Sequence, residues 1–313
     1  MVGGSPAYRE LTALVARIAQ YDVPVLIEGE TGTGKELAAR AIHYNSRRQA
    51  HPFVPVNCGA IPDSLFESEL FGHRRGAFTD AREDQPGLVV LAHRGTLFLD
   101  EVDSLSPKGQ VSLLRFLQDQ QYRPVGGRTV VQGDVRLIAA SNRNLSELCA
   151  AGQFRDDLLY RLKLMYVRVP PLRERVGDVV LLAHHFVVLA SRRFGKLQTP
   201  ISAPTLEWFD RYAWPGNVRE LEHLIYREFL MLDGPEIAIA APGALAPNSF
   251  SPDLTYRQAK AAAIEAFERQ YLTTLMARAD GRVSVAARMV RTERRHLGRL
   301  LKRYQIAPDR IRA

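Results

Sequence analysis

Short hydrophobic runs, most of them ending on a polar residue, recur through the first half of the chain. Val23–Glu28, Phe53–Asn57, Thr96–Leu99, Arg136–Ser141 and Met165–Val169 are brief, rich in branched and aromatic residues, and predict strands. Between them the apolar positions change to helical spacing. From Lys35 to Ser46, for example, Leu37, Ala38, Ala41 and Ile42 fall on one stripe. Strands alternating with helices predict an α/β fold with a parallel sheet and crossover helices. Such sheets collect ligands at the carboxyl ends of their strands. Four of the runs lead there into polar chemistry: the glycine-rich segment after Glu28, Asn57, Asp100-Glu101, and Asn142.

The pattern changes twice further on. Leu172–Asp178 closes the strand-rich region and opens a helical one. Residues 235–253 carry four prolines with little periodicity, which reads as a linker. Four parts follow: 1–172, 173–234, the linker 235–253, and 254–313. In the last, Thr255 to Arg278 predicts a long amphipathic helix with Ala259, Ala262, Ala263, Ala266, Phe267 and Leu272 on one face. Val283–Met289 predicts a short helix, and Glu293–Tyr304 a second with Leu297, Leu300 and Leu301 inward. Together these make an all-α helix-turn-helix module.

The segment Gly29-Glu30-Thr31-Gly32-Thr33-Gly34-Lys35-Glu36 lies between a predicted strand and a predicted helix. That context makes it a phosphate-binding loop. Glycines let backbone N–H groups wrap around phosphates, Lys35 reaches the β/γ-phosphates, and the helix N-terminus favours anions. A nucleoside triphosphate is the expected ligand. Glu36 stands where most such loops have Ser or Thr as a Mg²⁺ ligand. Asp100 is therefore expected to carry more of the metal's coordination, with Glu101 orienting the attacking water. Asn142 is placed to bond water or the γ-phosphate, or is an ordinary strand-end turn residue.

Charge sharpens the division. From Leu254 onward there are 14 Lys/Arg against 5 Asp/Glu, a net +9 that exceeds the whole chain's +8, so residues 1–253 sum to about −1. A basic excess confined to one end points to a polyanionic partner. On the second helix of the module, Arg294, Arg295, His296 and Arg299 are the candidates for groove or phosphate contacts with double-stranded DNA. Two cysteines, no apolar run of membrane-spanning length and no signal-peptide pattern predict a cytoplasmic protein with no membrane partner.

The residues as a set resemble a known family. GETGTGKE (Gly29–Glu36), VNCGAI (Val56–Ile61), SELFGHRRGAFTDA (Ser68–Ala81), GTLFLDE (Gly95–Glu101), LLRFLQ (Leu113–Gln118), FRDDLLYRL (Phe154–Leu162), PPLRERVGD (Pro170–Asp178) and WPGNVREL (Trp214–Leu221) are similar to the AAA+ activators of sigma-54 RNA polymerase, the bacterial enhancer-binding proteins. The likeness runs from about Val2 to Asp233. It implies an AAA+ P-loop NTPase whose helical lid is residues 173–234, with ATP and Mg²⁺ as cofactors, working as a homo-oligomer from dimer to hexamer.

Residue by residue, the resemblance implies that Asn57 pairs with Glu101 and holds it off water. It implies that Arg155 and Arg161 reach a neighbouring subunit's ATP, and that Arg219 is the lid's sensor arginine, for which a solvated helix charge is the plain alternative. Asn217 is expected to cap the helix that carries Arg219. Phe78 and Thr79 match the pair that contacts sigma-54. Asp80 replaces the glycine of that loop, and Asp is among the residues that tolerate positive φ. The tail resembles a Fis-type DNA-binding module through Ala286-Ala287-Arg288 and Lys302-Arg303-Tyr304-Gln305-Ile306, with Arg291 where glycine is usual.

The expected function is activation of transcription by ATP-driven remodelling of the sigma-54 closed complex from an upstream DNA site. The second reading, favoured by Asp80, is a DNA-binding regulator whose oligomeric state nucleotide controls, without remodelling. The family pattern begins at Val2, so regulation is expected either from a protein acting in trans or from a regulatory half outside this sequence.

Overall fold

The computed structural model describes residues 2–232, 234–241, 268, 271–272, 275–276, 279, 282–290, 292 and 294–304. Two compact units divide the chain, residues 1–239 and 240–313. The first is built on five parallel strands: β1 (Val25–Glu28), β2 (Phe53–Asn57), β5 (Thr96–Asp100), β8 (Arg136–Ser141) and β9 (Met165–Arg168), in the order β2-β5-β8-β1-β9. Two-residue strands β3 (Gly72–His73) and β4 (Gln85–Pro86), then β6 (Gln121–Tyr122) and β7 (Val131–Gln132), form two small antiparallel pairs. All five expected strands are present, within two residues at their ends.

Alternation along the strands builds two cores. Val25 and Ile27, Phe98, and Ile138 and Ala140 face α1 (Pro6–Ala19) and α2 (Lys35–Tyr44), packing on Leu11, Val15, Ile18, Ala38 and Ile42. Leu26, Leu97, Leu99, Leu137 and Ala139 face the other way, onto α3 (Phe66–Phe71), α5 (Pro107–Asp119), α6 (Leu145–Ala150) and α7 (Asp156–Leu162). The one-turn helix α4 (Leu88–Leu91) adds Val89 to that second core. A strand buried on both faces is apolar through its interior, as the central strands β1, β5 and β8 are, whereas β2 and β9 at the sheet edges keep exposed positions. Leu37 departs from the expected stripe: it is 55% exposed, because it stands at the lip of the cleft described below.

The lid follows a 3₁₀ turn at Leu172–Glu174 and consists of α8 (Asp178–Phe194), α9 (Ala203–Phe209) and α10 (Asn217–Leu230). Trp214 is wholly buried at its centre and donates its indole N–H to the Phe209 carbonyl at 2.9 Å. The chain read as a linker from residue 235 starts as part of this lid. Ile237 is buried and exchanges backbone hydrogen bonds with Pro200 and Ser202, and Trp208 donates to the Ile239 carbonyl at 2.8 Å. Apolar Ile237 and Ile239, spaced by two, complete the lid core; residues 242–253 lie outside the described residues.

In the second unit, helices Val283–Met289 and Arg294–Arg303 pack through Ala286, Ala287, Leu297 and Leu301 onto Leu272, Leu275 and Met276. The rest of the expected helix Thr255–Arg278, together with Arg291, Glu293, Gln305 and Ile306, falls outside the described residues. No helix among the described residues is long and apolar enough to cross a membrane.

Arg136, on β8, is buried at 3% exposure and is answered by carbonyls alone: Ile18 at 3.0 Å, Ala19 at 3.4 Å and Val23 at 3.4 Å. Two of these close α1, whose C-terminal dipole favours a cation. Arg136→Ala orphans buried acceptors and opens a cavity. It is expected to lower the free energy of unfolding by about 2–4 kcal/mol, read as a fall in the urea midpoint.

Candidate nucleotide site

The carboxyl ends of β1, β5 and β8 open into a cleft of about 330 Å³, lined by Thr31, Gly34, Lys35, Asp100, Asn142 and Arg219 among others. Residues from four distant stretches of sequence therefore share one site. Gly34 adopts φ +96° just before α2, where a side chain would be strained, and an added Cβ there would meet little but the end of Leu37. Gly34, Lys35, Glu36 and Leu37 at that helix start line the cleft, and a helix N-terminus favours anions.

Lys35 is 6% exposed. Its ammonium donates to the Gly29 carbonyl at 2.8 Å, the Glu30 carbonyl at 3.1 Å and Asn142 Oδ1 at 2.5 Å. Burial pulls its pKa down, while Asp100, Asp103 and Glu101 oppose that from a distance. A desolvated cation held only by neutral oxygens fits an incoming polyphosphate. Thr33 is buried and closes the loop through Oγ1 to the Glu30 carbonyl at 2.7 Å.

Asp100 ends β5, and burial raises its carboxyl pKa. It accepts the backbone N–H of Glu101 at 3.0 Å. Glu101 takes a left-handed conformation, φ 55°, so the chain turns sharply and both acids stay at the strand tip. Asn142 Nδ2 donates to Glu101 Oε1 at 3.3 Å, so this one amide bridges Lys35 and Glu101. Asn57 does not hold Glu101 in this structure. It is the register partner of Asp100, and its Oδ1 accepts from Gly59 and Ala60 at 2.8 and 3.2 Å, starting a short 3₁₀ turn. Glu36, at the edge of the cleft, pairs with Arg40 one helical turn along, at 2.7 Å. Beside these acids Cys58 is buried, and desolvation pushes its thiol up to about 12, an unreactive state.

The lid meets the loop backbone to backbone. The Gly32 carbonyl accepts the N–H groups of Val218 and Arg219 at 3.0 and 3.3 Å. Gly32 has φ +78°, and a Cβ there would lie 2.3 Å from the Gly216 carbonyl. Arg219 reaches the cleft from α10. Asn217 is not the cap of that helix: it has φ 52° and is fully buried, and its side chain accepts from Leu172 N at 2.8 Å while donating to Glu30 Oε2 and the Thr31 carbonyl. The helix start is instead closed by Glu220, which accepts the Gly216 N–H at 2.8 Å. Arg173 donates two bonds to the Glu30 carboxylate, 2.8 and 2.5 Å, and this pairing holds Glu30 down at about 2. Arg173, Asn217 and Asp103, which accepts from Ser141 Oγ at 2.9 Å, were not among the expected site residues. Only an arginine soon after Pro-Pro and an acid two residues beyond Glu101 hinted at them.

The remaining candidates lie elsewhere. Arg155 and Arg161 are exposed on α7 and its approach, outside this cleft, and Arg155 pairs with Asp157 at 2.7 Å. Phe78 sits at 38% exposure in a tight loop, its ring 4.8 Å from that of His73, with the Gly76 N–H donating to the Ala81 carbonyl. Thr79 is exposed beside it. Asp80 is not among the residues with positive φ, so the loop closes without the conformation a glycine would permit. In the second unit Arg294, Arg295, His296 and Arg299 are all exposed on one helix.

Comparison with known proteins gives this geometry a family. Residues 1–168 match the sigma-54 interaction domain, and residues 173–249 match the AAA+ ATPase lid domain. The chain belongs to the sigma-54 interaction domain family. Its fold is that of an AAA+ P-loop NTPase, as in NtrX from Brucella abortus, solved in complex with ATP (34% identity, TM-score 0.71, covering 98% of this chain and 69% of that one). It is similar to the nitrogen fixation protein AnfA of Azotobacter vinelandii (42% identity over 98% of this chain and 58% of AnfA). It is also similar to the DNA-binding transcriptional regulator NtrC of a Bradyrhizobium strain (50% identity over 72% of this chain and 47% of NtrC). The chain thus spans about half to three-fifths of the length of these two curated relatives.

Gly32→Ala tests the contact on which this family member's lid rests. It forces a side chain into a left-handed position and against a backbone carbonyl, with an expected loss of about 1–3 kcal/mol in thermal unfolding. Gly4→Ala, where an added Cβ meets nothing, should leave the midpoint unchanged.

Proposed function

We propose that the chain is the ATP-hydrolysing and DNA-binding part of a transcriptional activator that remodels the closed complex of sigma-54 RNA polymerase. The observation that carries this reading is the convergence of Lys35, Asp100, Glu101, Asn142 and Arg219 on one cleft in a chain whose family is the sigma-54 interaction domain. Bound ATP supplies a γ-phosphoryl group whose transfer to water drives the work. Gly29, Glu30, Thr31, Gly32, Thr33 and Gly34 shape the cradle, Lys35 binds β/γ-phosphate oxygens, and Glu36 opens the helix beneath them. Asp100 holds Mg²⁺. Such an ion would take most of its remaining ligands from phosphate and water.

Glu101 orients the attacking water, and Asn142 keeps that carboxylate in register with Lys35. Asn57, one strand over, is close enough in register to take Glu101 in another state of the site. Exposed Arg155 and Arg161 suit a role at a neighbouring subunit's phosphates in a ring of up to six copies, and Arg219 at its own. Phe78 and Thr79 present the surface for sigma-54. Arg294, Arg295, His296 and Arg299 contact an upstream double-stranded DNA site, and a regulatory protein in trans is one route of control. Asp80 is the specific observation behind the second reading, a DNA-binding regulator with nucleotide-controlled assembly: it sets a carboxylate beside Phe78 and Thr79.

Capture of purified sigma-54 by the chain loaded with an ATP transition-state mimic separates the two readings. Stable capture, lost in Lys35→Ala, is the expected result. Capture only after Asp80→Gly would transfer the case to the regulator without remodelling. DNA contacts are tested separately: Arg295→Ala or Arg299→Ala should each weaken specific binding by about tenfold, roughly 1.4 kcal/mol, with basal ATP hydrolysis unchanged. Unaltered binding by both would remove this helix from the interface.

A further inference from the structure

Around Glu30 the P-loop and the lid are joined through side chains as well as backbone. The Glu30 carboxylate takes two bonds from Arg173 and one, at 3.1 Å, from Asn217. Asn217 also donates to the Thr31 carbonyl at 3.0 Å and accepts Leu172 N at 2.8 Å, so one buried amide ties the loop, the connector and the start of α10. Its left-handed φ is kept despite the cost, which means the surrounding contacts enforce it. The same Glu30 peptide offers its carbonyl to Lys35 at 3.1 Å.

We infer that Glu30, Arg173 and Asn217 form a clasp that couples occupancy of the P-loop to the position of the lid. The inference rests on the ATP reading above. The ammonium that must serve a polyphosphate is bonded to the backbone of the residue whose side chain holds the lid. When Lys35 turns from the Glu30 carbonyl to phosphate oxygens, that carbonyl keeps only its bonds from Thr33 Oγ1 and Thr33 N, and the loosened Glu30 residue carries the change through its carboxylate to Arg173 and Asn217. Two amides report the lid's response directly, those of Val218 and Arg219, because both bond to the Gly32 carbonyl. Arg173 and Asn217 are positioning residues in this scheme. Neither lines the cleft.

Hydrogen exchange of those amides, in the full chain with and without ADP, tests the clasp. ADP binding is followed in parallel with a fluorescent ADP analogue. In the native sequence ADP should slow their exchange by roughly fivefold or more, the scale of an ordinary coupling between sites. Arg173→Met and Asn217→Gly, the second of which keeps the left-handed backbone, should still bind the analogue while the ADP-dependent slowing falls to about twofold or less. In a Glu30→Ala background, adding Arg173→Met should cost nothing further, since its partner is gone. An unchanged response in both single variants, or a full additional loss in the double variant, would overturn the clasp. If the native chain failed to bind the analogue at all, the ATP reading would fall first.

Discussion

A buried ammonium surrounded by neutral oxygens is the interaction around which the site is arranged. Lys35 can be desolvated because the β1 loop turns two carbonyls inward and β8 supplies an amide oxygen. Each supporting group then has a second commitment. Asn142 passes the constraint to Glu101 on β5, and Glu30 passes it to Arg173 and Asn217 at the lid. A cation that could instead reach water would hold none of these elements. Its low solvation is also what makes it responsive, since a polyanion offers it stronger partners than carbonyls do.

The sheet was legible in the sequence because its three central strands are buried on both faces and have apolar interiors. Val25–Glu28 and Arg136–Ser141 could hardly have been read otherwise. Their polar tips were equally legible, since a residue such as Asp100 at the end of Thr96–Leu99 breaks the pattern at a definite point. What the pattern did not carry was long-range pairing. Asn217 looked like a cap because Asn commonly caps helices, but its amide bonds to groups nearly two hundred positions away. Leu37 fitted a helical stripe by spacing, yet the core that would cover it gives way to the cleft. The linker was misjudged at its start because Ile237 and Ile239 are too few to show a period, although they seal the lid. Asn57 was expected at Glu101 through family likeness, and here its oxygen serves the chain's own turn.

The two units use side chains in contrasting ways. The first buries its decisive polar groups and relies on geometry within a cleft. The second keeps a small core of Ala286, Ala287, Leu297 and Leu301 and displays its arginines to solvent. An exposed guanidinium retains its hydration and charge, which suits an extended polyanion met at low cost in desolvation. The net charge, near neutral up to residue 253 and strongly positive after it, follows the same separation.

The pairing of Arg155 with Asp157 carries one more consequence. Both side chains are 48% exposed, and an ion pair in that setting is held loosely. The guanidinium therefore remains available for exchange. Any anion that recruits it competes against a carboxylate attached to the same chain, which sets a threshold: weaker anions leave the arginine at home, and only a denser negative charge displaces Asp157. An internal carboxylate thus fixes how strong an outside anion must be before the arginine answers it.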